Sequence, residues 1–268
     1  MAENDLSPIW AHGDAYEKFM GRWSRLSGHD FTRWLALGPN LRWLDVGCGT
    51  GAFSSVILNE CGPKEVVGLD TAESHVSYAQ SRVSDKKVSF RVGDALALPF
   101  ADHEFDVAIS AFVLNFVPDQ KKMATEMKRV VCPSGTVAAS VWDFAGGMGT
   151  AQHMASAIRA RDPKAAERTA AALHVESTRP EALIQLFRDA GLEGISTRTI
   201  EIAVVFKDFD DYWTSNTGFT SPGARYVTGL SLEDREQFIQ EVKERLPFGA
   251  DGSIRFTACA QAVRGTVP

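Results

Sequence analysis

At 268 residues, 44% of them hydrophobic, the chain is long enough to bury a substantial core as one large domain or as one domain carrying additions. A formal net charge of -6 with no run of Lys or Arg argues against nucleic acid and against an anionic membrane surface as partners. The four cysteines are scattered, with no C-x-x-C pair and no His at ligand spacing, which argues against a metal site and a disulfide framework and leaves reduced thiols in a cytoplasmic setting as the expectation.

The N-terminus "MAENDLSPIWAHGD" has no basic start followed by an apolar stretch, and no apolar run approaches the roughly 18 residues of a membrane span, so neither secretion nor membrane insertion is expected. "YEKFMGRWSRL" repeats Tyr16, Phe19, Met20 and Trp23 at helical spacing beside Arg22, which predicts an amphipathic helix. "LRWLDV" then reads as a short buried strand, 51–60 as a helix, "EVVGLD" as a second strand, and 73–83 as a helix preceded by Thr71. "VSFRVGD" and "FDVAIS" are the third and fourth strands, 119–131 is a helix, and "GTVAASVW" is a fifth strand after the turn "CPSG". Further on come a helix in "RPEALIQLFRDAGL" closed by Gly191, a strand in "ISTRTIEIAVVF", and an alternating last strand in "SIRFTACAQAVRG". The segments 143–178 and 207–252 fit no slot in this alternation and are expected to form a cap.

Strict alternation of short apolar strands with helices predicts an α/β fold. The expectation is a Rossmann-like, doubly wound, seven-stranded and mostly parallel sheet with helices on both faces, its ligand at the carboxyl ends of the strands. The predicted organisation is an N-terminal helical lid at 1–40, a ligand-binding core at 41–142, a cap insertion at 143–178, a core helix and strand at 179–206, a second cap insertion at 207–252 and the last core strand at 253–268.

"LDVGCGTGAF" places Asp45 before Gly47, Gly49 and Gly51. Gly47 and Gly49 suit a tight strand-to-helix turn and close approach of a ligand, and Gly51 opens the helix whose free N–H groups face the site. Gly47, Gly49 and Ala52 also satisfy a relaxed dinucleotide fingerprint, and Asp70 stands about 20 residues on, where a ribose-binding acid is needed in either case. Asp45 decides between them, because its carboxylate would repel a pyrophosphate and attract a cationic amino group. Asp94 in "GDALALPF" ends the third strand, where it can accept from an adenine amino group or merely cap a turn. Adenosine joined to a cationic amino acid describes S-adenosylmethionine.

"LDVGCGTG", "GLD", "GDALALPF" and "FDVAISAFVLNFVPD", in that order and spacing, resemble class I S-adenosylmethionine-dependent methyltransferases, in the small-molecule group related to ubiquinone and menaquinone biosynthesis enzymes. The resemblance spans 41 to about 142. It implies that Asp45, Gly47 and Gly49, with Cys48 as the small residue between, hold the methionine end. By the same resemblance Asp70 and Thr71 border the ribose, Asp94 and Ala95 frame the adenine, and Ser110 and Ala111 face the sulfonium. His75 stands where relatives usually carry Met or another apolar residue against the nucleoside, and its imidazole is expected to stack there. Arg22 is either an ordinary surface arginine or a bidentate partner of the cofactor carboxylate. His12 and His75 are the only candidates for acid–base work, each more plausible as a solvated or a packing residue.

Methyl transfer from a sulfonium is an in-line displacement that needs no metal and needs a base only when the acceptor must lose a proton. "SAFVLNF" replaces the Asn-Pro-Pro-Tyr type of signature after strand four, and no double-glutamate pattern is present, which disfavours nucleic-acid bases and protein arginine as acceptors. The expected acceptor is a small molecule, in a pocket to which Trp142, Tyr212 and Trp213 contribute, with Phe144, Phe219 and Tyr226 as further cap aromatics. The competing readings are an NAD-linked oxidoreductase, for which no Tyr-x-x-x-Lys pair exists, and a non-catalytic cofactor-binding module.

Overall fold

The computed structural model describes residues 21–144, 146–217 and 221–268. His12, Tyr16, Phe19, Met20 and Phe219 lie outside them. The described chain opens with α1 (Arg22–Leu35), and β1 (Arg42–Val46), α2 (Ala52–Glu60), β2 (Glu65–Asp70), α3 (Glu73–Arg82) and β3 (Val88–Val92) follow. Next come β4 (Phe105–Ala111), a single 3-10 turn at Leu114–Phe116, α4 (Gln120–Val130) and β5 (Val131–Trp142). The seven strands form one sheet in the order β3-β2-β1-β4-β5-β7-β6, where β6 is Glu193–Phe206 and β7 is Ile254–Thr266. β7 runs antiparallel to both of its neighbours, and every other pairing is parallel. Chain order runs outward from β1 to β3 and then restarts at β4 on the other side. The carboxyl ends of β1 and β4 therefore flank the switch point at which such sheets bind ligands.

Side-chain alternation divides the core between the two faces of the sheet. Trp43, Val107, Ile109, Ala138 and Trp142 pack with Trp23, Phe31 and Leu35 of α1, whereas Leu44, Val46, Ala108, Val137 and Val141 pack with Met123 and Met127 of α4 and with Leu183 and Phe187 of α7 (Pro180–Asp189). Asp119 caps α4 by accepting from Lys122 N at 2.8 Å, which makes the predicted first helical residue the cap instead. The fifth strand begins four residues earlier than predicted, because Val131 pairs with Phe105 of β4 across a bulge; within the expected turn, Ser134 N donates to Val267 O, just past β7, at 2.8 Å. α3 is entered from Ala72, without a cap from Thr71; the Asp70 carboxylate fixes that turn by accepting from Ala72 N at 2.9 Å.

The two segments outside the alternation are helical. α5 (Gly149–Arg161) and α6 (Pro163–Ala172) come from the first, and α8 (Phe209–Thr217), α9 (Pro222–Thr228) and α10 (Leu232–Lys243) from the second. They share one apolar cluster with the α1 face of the sheet, through Ile202, Val204 and Phe206 of β6 and Ala258 of β7. Tyr212 is fully buried in this layer, edge-on to Phe206 at 5.3 Å, with its hydroxyl donating to Thr150 O at 3.0 Å. Arg161 ties α5 to α10 by pairing with Glu241 at 3.0 Å and with Asp234. Among the described residues, no helix is long and apolar enough to cross a membrane.

Tyr212→Phe, which removes one buried neutral hydrogen bond, should cost about 1 kcal/mol in chemical denaturation. Tyr212→Ala, which empties the centre of the layer, should cost about 3–5 kcal/mol.

Candidate active site

The glycines that follow β1 turn the chain at the switch point. Gly47 (φ +77°) is in the left-handed region, and a Cβ there would lie 2.6 Å from Val113 Cγ2, so any side chain would clash with the segment after β4. Gly49 (φ +51°) differs, because a Cβ there would meet nothing within 4 Å; it faces open space. That space is a cavity of about 480 Å³, within the usual range for small-molecule sites. Its walls come from α1 (Ser24), the β1 end and following loop (Asp45 and Gly47 to Thr50), α2 (Phe53), the β2 end (Asp70, Thr71, Ala72), α3 (His75), the loop after β3 (Asp94, Ala95) and the segment after β4 (Ala111, Phe112, Val113, Phe116, Val117).

Three carboxylates face it. Asp45 is 1% exposed; Ser54 Oγ donates to its Oδ2 at 2.7 Å, and its Oδ1 has no hydrogen-bond partner among the described residues. Burial pushes its carboxyl up to about 7, partly opposed by the Ser54 hydrogen bond and reinforced by the charge of Asp70. Asp70 is held on both oxygens, Oδ2 accepting from Gly49 N and Oδ1 from Ala72 N, each at 2.9 Å, with His75 Nδ1 3.7 Å from Oδ1. Burial works against its charge, yet the facing His75 imidazole and the two backbone N–H donors outweigh it and hold the carboxyl below its ordinary value. Asp94 is exposed and its Oδ1 accepts from Leu96 N at 2.8 Å, so the turn-capping use of this residue is realised within the cavity wall. His75 is buried and its Nε2 lacks a partner among the described residues. Burial, reinforced by the charges of Asp45 and Asp70, pushes the Cys48 thiol up and keeps it protonated, which leaves it a wall residue and no nucleophile.

The wall formed by the segment after β4 is apolar. Phe112 is a non-glycine residue in the left-handed region (φ +64°), held there by its N–H donating to Ser140 O at 2.7 Å and by its ring stacking on Trp142 at 4.4 Å and 12°. Phe116, next along this wall, meets Phe144 edge-on at 6.4 Å. Among the residues that line this side, Ala111 to Val117, no side chain titrates.

The cavity thus collects Asp45, Gly47, Cys48, Gly49, Asp70, Thr71, His75, Asp94, Ala95 and Ala111. Five expected site residues lie outside its lining. Arg22 turns the other way: it pairs with Asp211 at 3.1 Å, donates to Ser215 Oγ at 2.9 Å and lies over the rings of Trp23 and Phe206. Asp211 and Ser215 stand one turn apart on α8 and match the guanidinium fork, so α1 is clasped to the helical layer. Ser110 precedes Ala111 on the strand, and alternation sends its side chain to the α4 face, where Ala108 also packs. Trp142 backs Phe112 and is 3% exposed. Tyr212 is core, and Trp213 stacks on Phe209 at 5.7 Å within the helical layer. Ser24, Phe53, Phe112, Val113 and Phe116 were not expected. Only the apolar "FVLNF" after strand four signals the last three.

A methyltransferase domain model matches residues 44–139, which contain the glycine loop, all three carboxylates and the apolar wall from Ala111 to Val117. An uncharacterized protein of Mycobacterium tuberculosis, Rv1405c, is 31% identical over 225 residues, covering 81% of this chain and 78% of that protein. The chain belongs to the class I S-adenosylmethionine-dependent methyltransferases, in the type 11 group. Within this methyltransferase family, a demethylmenaquinone methyltransferase of Bacillus cytotoxicus is 39% identical over 103 residues, 37% of this chain, and the match spans less than half, 44%, of its length. Two solved structures share the fold. Phosphoethanolamine N-methyltransferase 2 of Haemonchus contortus, solved with S-adenosyl-L-methionine, has a TM-score of 0.62 at 15% identity over 99% of this chain and 59% of that one. The YcgJ protein of Bacillus subtilis has a TM-score of 0.57 at 19% identity over 90% of this chain and 97% of that one.

The residues present fit the cofactor of this methyltransferase family. A buried carboxylate oxygen without a partner suits an ammonium, the glycine at 49 leaves room for a ligand against the backbone, and a second ionised acid stands one strand away.

The Asp45 shift has two consequences of defined sign. The folded protein keeps a proton on Asp45 between its ordinary 3.8 and about 7 that the unfolded chain releases, so this group makes ligand-free stability fall as pH rises through that window. A cationic amino group needs the carboxylate, so affinity for S-adenosylhomocysteine measured by calorimetry should be level above about pH 7 and weaken about tenfold per unit below it. Asp45→Asn should flatten this profile at low affinity; an unchanged profile would contradict the assignment.

Proposed function

We propose that the protein transfers a methyl group from S-adenosylmethionine to a small, predominantly apolar acceptor. The observation that carries this reading is the division of one cavity into a wall of carboxylates and a wall of aromatic and aliphatic side chains. When bound, S-adenosylmethionine supplies an electrophilic methyl carbon on a sulfonium. Asp45 receives the ammonium on its free Oδ1, and Asp70, pinned on both oxygens, turns its remaining lone pairs to the ribose hydroxyls. His75 closes the nucleoside side beside Asp70, and Asp94 and Ala95 border the base. Thr71 completes the ribose wall.

The acceptor belongs on the other side, against Phe112, Val113 and Phe116. Trp142 acts there indirectly, by holding the Phe112 ring in its strained position. The demethylmenaquinone methyltransferases of the family support a small-molecule acceptor over the matched segment. The helical layer formed by α5, α6, α8, α9 and α10 serves as the cap over this side, and α1 as its continuation. With no titratable side chain on the apolar wall, acceleration comes from alignment of the acceptor in a site that excludes water, and His75 has no direct part in proton transfer. The four free cysteines support a reducing, cytoplasmic setting for the reaction.

Asp70→Ala should weaken S-adenosylhomocysteine binding about ten- to a hundred-fold, the loss expected for charge-assisted hydrogen bonds. In the wild type, calorimetric titration should show S-adenosylmethionine binding and no heat with NAD. Mass spectrometry of a cell extract incubated with the enzyme and methyl-labelled cofactor should reveal a labelled small molecule. Binding of NAD, or binding of S-adenosylmethionine with no labelled product, would each defeat the proposal. Once the acceptor is known, His75→Gln should lower turnover at saturating cofactor only several-fold, well short of the factor of about a thousand expected for a general base.

A further inference from the structure

Helix α1 contributes one residue to the cavity that neither the glycine motif nor the carboxylates explain. Ser24 lines it, is 5% exposed, and its hydroxyl has no hydrogen-bond partner among the described residues. A buried hydroxyl without a partner is destabilising, so its retention beside a ligand cavity points to a partner that arrives with the ligand.

Its place in the cavity follows from packing. Asp45 shares its sheet face with Trp43, two residues earlier on β1, and Trp43 packs against Trp23, Phe31 and Leu35 of α1. One turn after Ser24, Gly28 brings α1 onto the first turn of α2, where a Cβ would come within 3.0 Å of the Phe53 ring. Phe53 is itself a cavity wall, and the next residue, Ser54, holds Asp45 Oδ2. Ser24 and Asp45 therefore face the same end of the cavity, and each presents one oxygen with no partner among the described residues. An α-amino acid has its carboxylate one carbon from its ammonium. With Asp45 taking the ammonium, that end still needs a donor for the carboxylate, and Arg22 is committed to Asp211 and Ser215.

We propose that the Ser24 hydroxyl donates a hydrogen bond to the α-carboxylate of the cofactor, so that α1 reads the amino-acid end of the ligand through a serine. This rests on the reading of the cavity as an S-adenosylmethionine site, and it adds a residue of α1 that selects for the carboxylate.

The test compares two ligands by calorimetry at pH 8. One is S-adenosylhomocysteine, and the other is its decarboxylated form, which keeps the adenosine and the ammonium. Ser24→Ala should weaken the first roughly tenfold and leave the second unchanged, and Ser24→Thr should restore the difference. Thermal denaturation without ligand should show Ser24→Ala no less stable than the wild type, because the substitution removes an unpaired buried hydroxyl; a merely structural serine would show the reverse. Equal weakening of both ligands, or no change for either, would overturn the proposal while leaving the cofactor site intact. Failure of the wild type to bind either ligand would overturn the cofactor reading and this inference together.

Discussion

A carboxylate kept in the protein interior with one oxygen unpaired is the constraint around which the site is built. Asp45 is buried next to the last residue of the central strand β1, and among the described residues Ser54 is its one side-chain hydrogen-bond partner. Its neighbour Asp70 is treated in the opposite way, with two backbone donors and an imidazole to stabilise the charge. Two acids near the ends of adjacent strands are thus driven apart, the carboxyl of one pushed up to about 7 and that of the other held below its ordinary value. The loop glycines serve this arrangement: Gly49 donates its N–H to Asp70 and leaves space in front of its own Cα for the ligand.

The remaining architecture separates this charged wall from an apolar one. The left-handed turn at Phe112 is costly for an aromatic residue, and it is maintained by the Trp142 stack and the Ser140 carbonyl, both from the neighbouring strand β5. The result is an apolar surface that lines the same cavity as the carboxylates, with Val113 against the Gly47 turn. Behind it, the long ends of β6 and β7 extend past the parallel strands and seat the helical layer, while Arg22 fastens α1 to α8 from within that layer. Helix α1, which lines the cavity through Ser24, is thereby joined to the helical layer.

Much of this was legible in the sequence because it depends on local rules. Alternating apolar strands and helices, glycines at a strand-to-helix turn and acids at strand ends all lie within a few residues of the features they predict, and β2 was bounded to the residue. What was not legible depends on contacts between distant parts of the chain. Nothing near Arg22 announces Asp211, which lies 189 residues away and draws its guanidinium from the cavity. Nothing near Phe112 announces a positive φ, since the Trp142 stack and the Ser140 carbonyl that hold that conformation come from β5. The cap aromatics Tyr212 and Trp213 looked suited to a pocket, yet their burial against Phe206, Phe209 and Phe238 could be known only after the layer was assembled. Ser24 carries no motif, and its significance emerges from an unpaired hydroxyl.

The central claim is that Asp45 and Asp70 divide one ligand between them, ammonium to the first and ribose to the second. A crystal structure of the protein with S-adenosylhomocysteine tests it most directly. The account predicts the amino nitrogen within hydrogen-bond distance of Asp45 Oδ1 and both ribose hydroxyls on the Asp70 carboxylate. A ligand whose amino-acid end lies against Phe112 and Phe116, with Asp45 still unpaired, would contradict it.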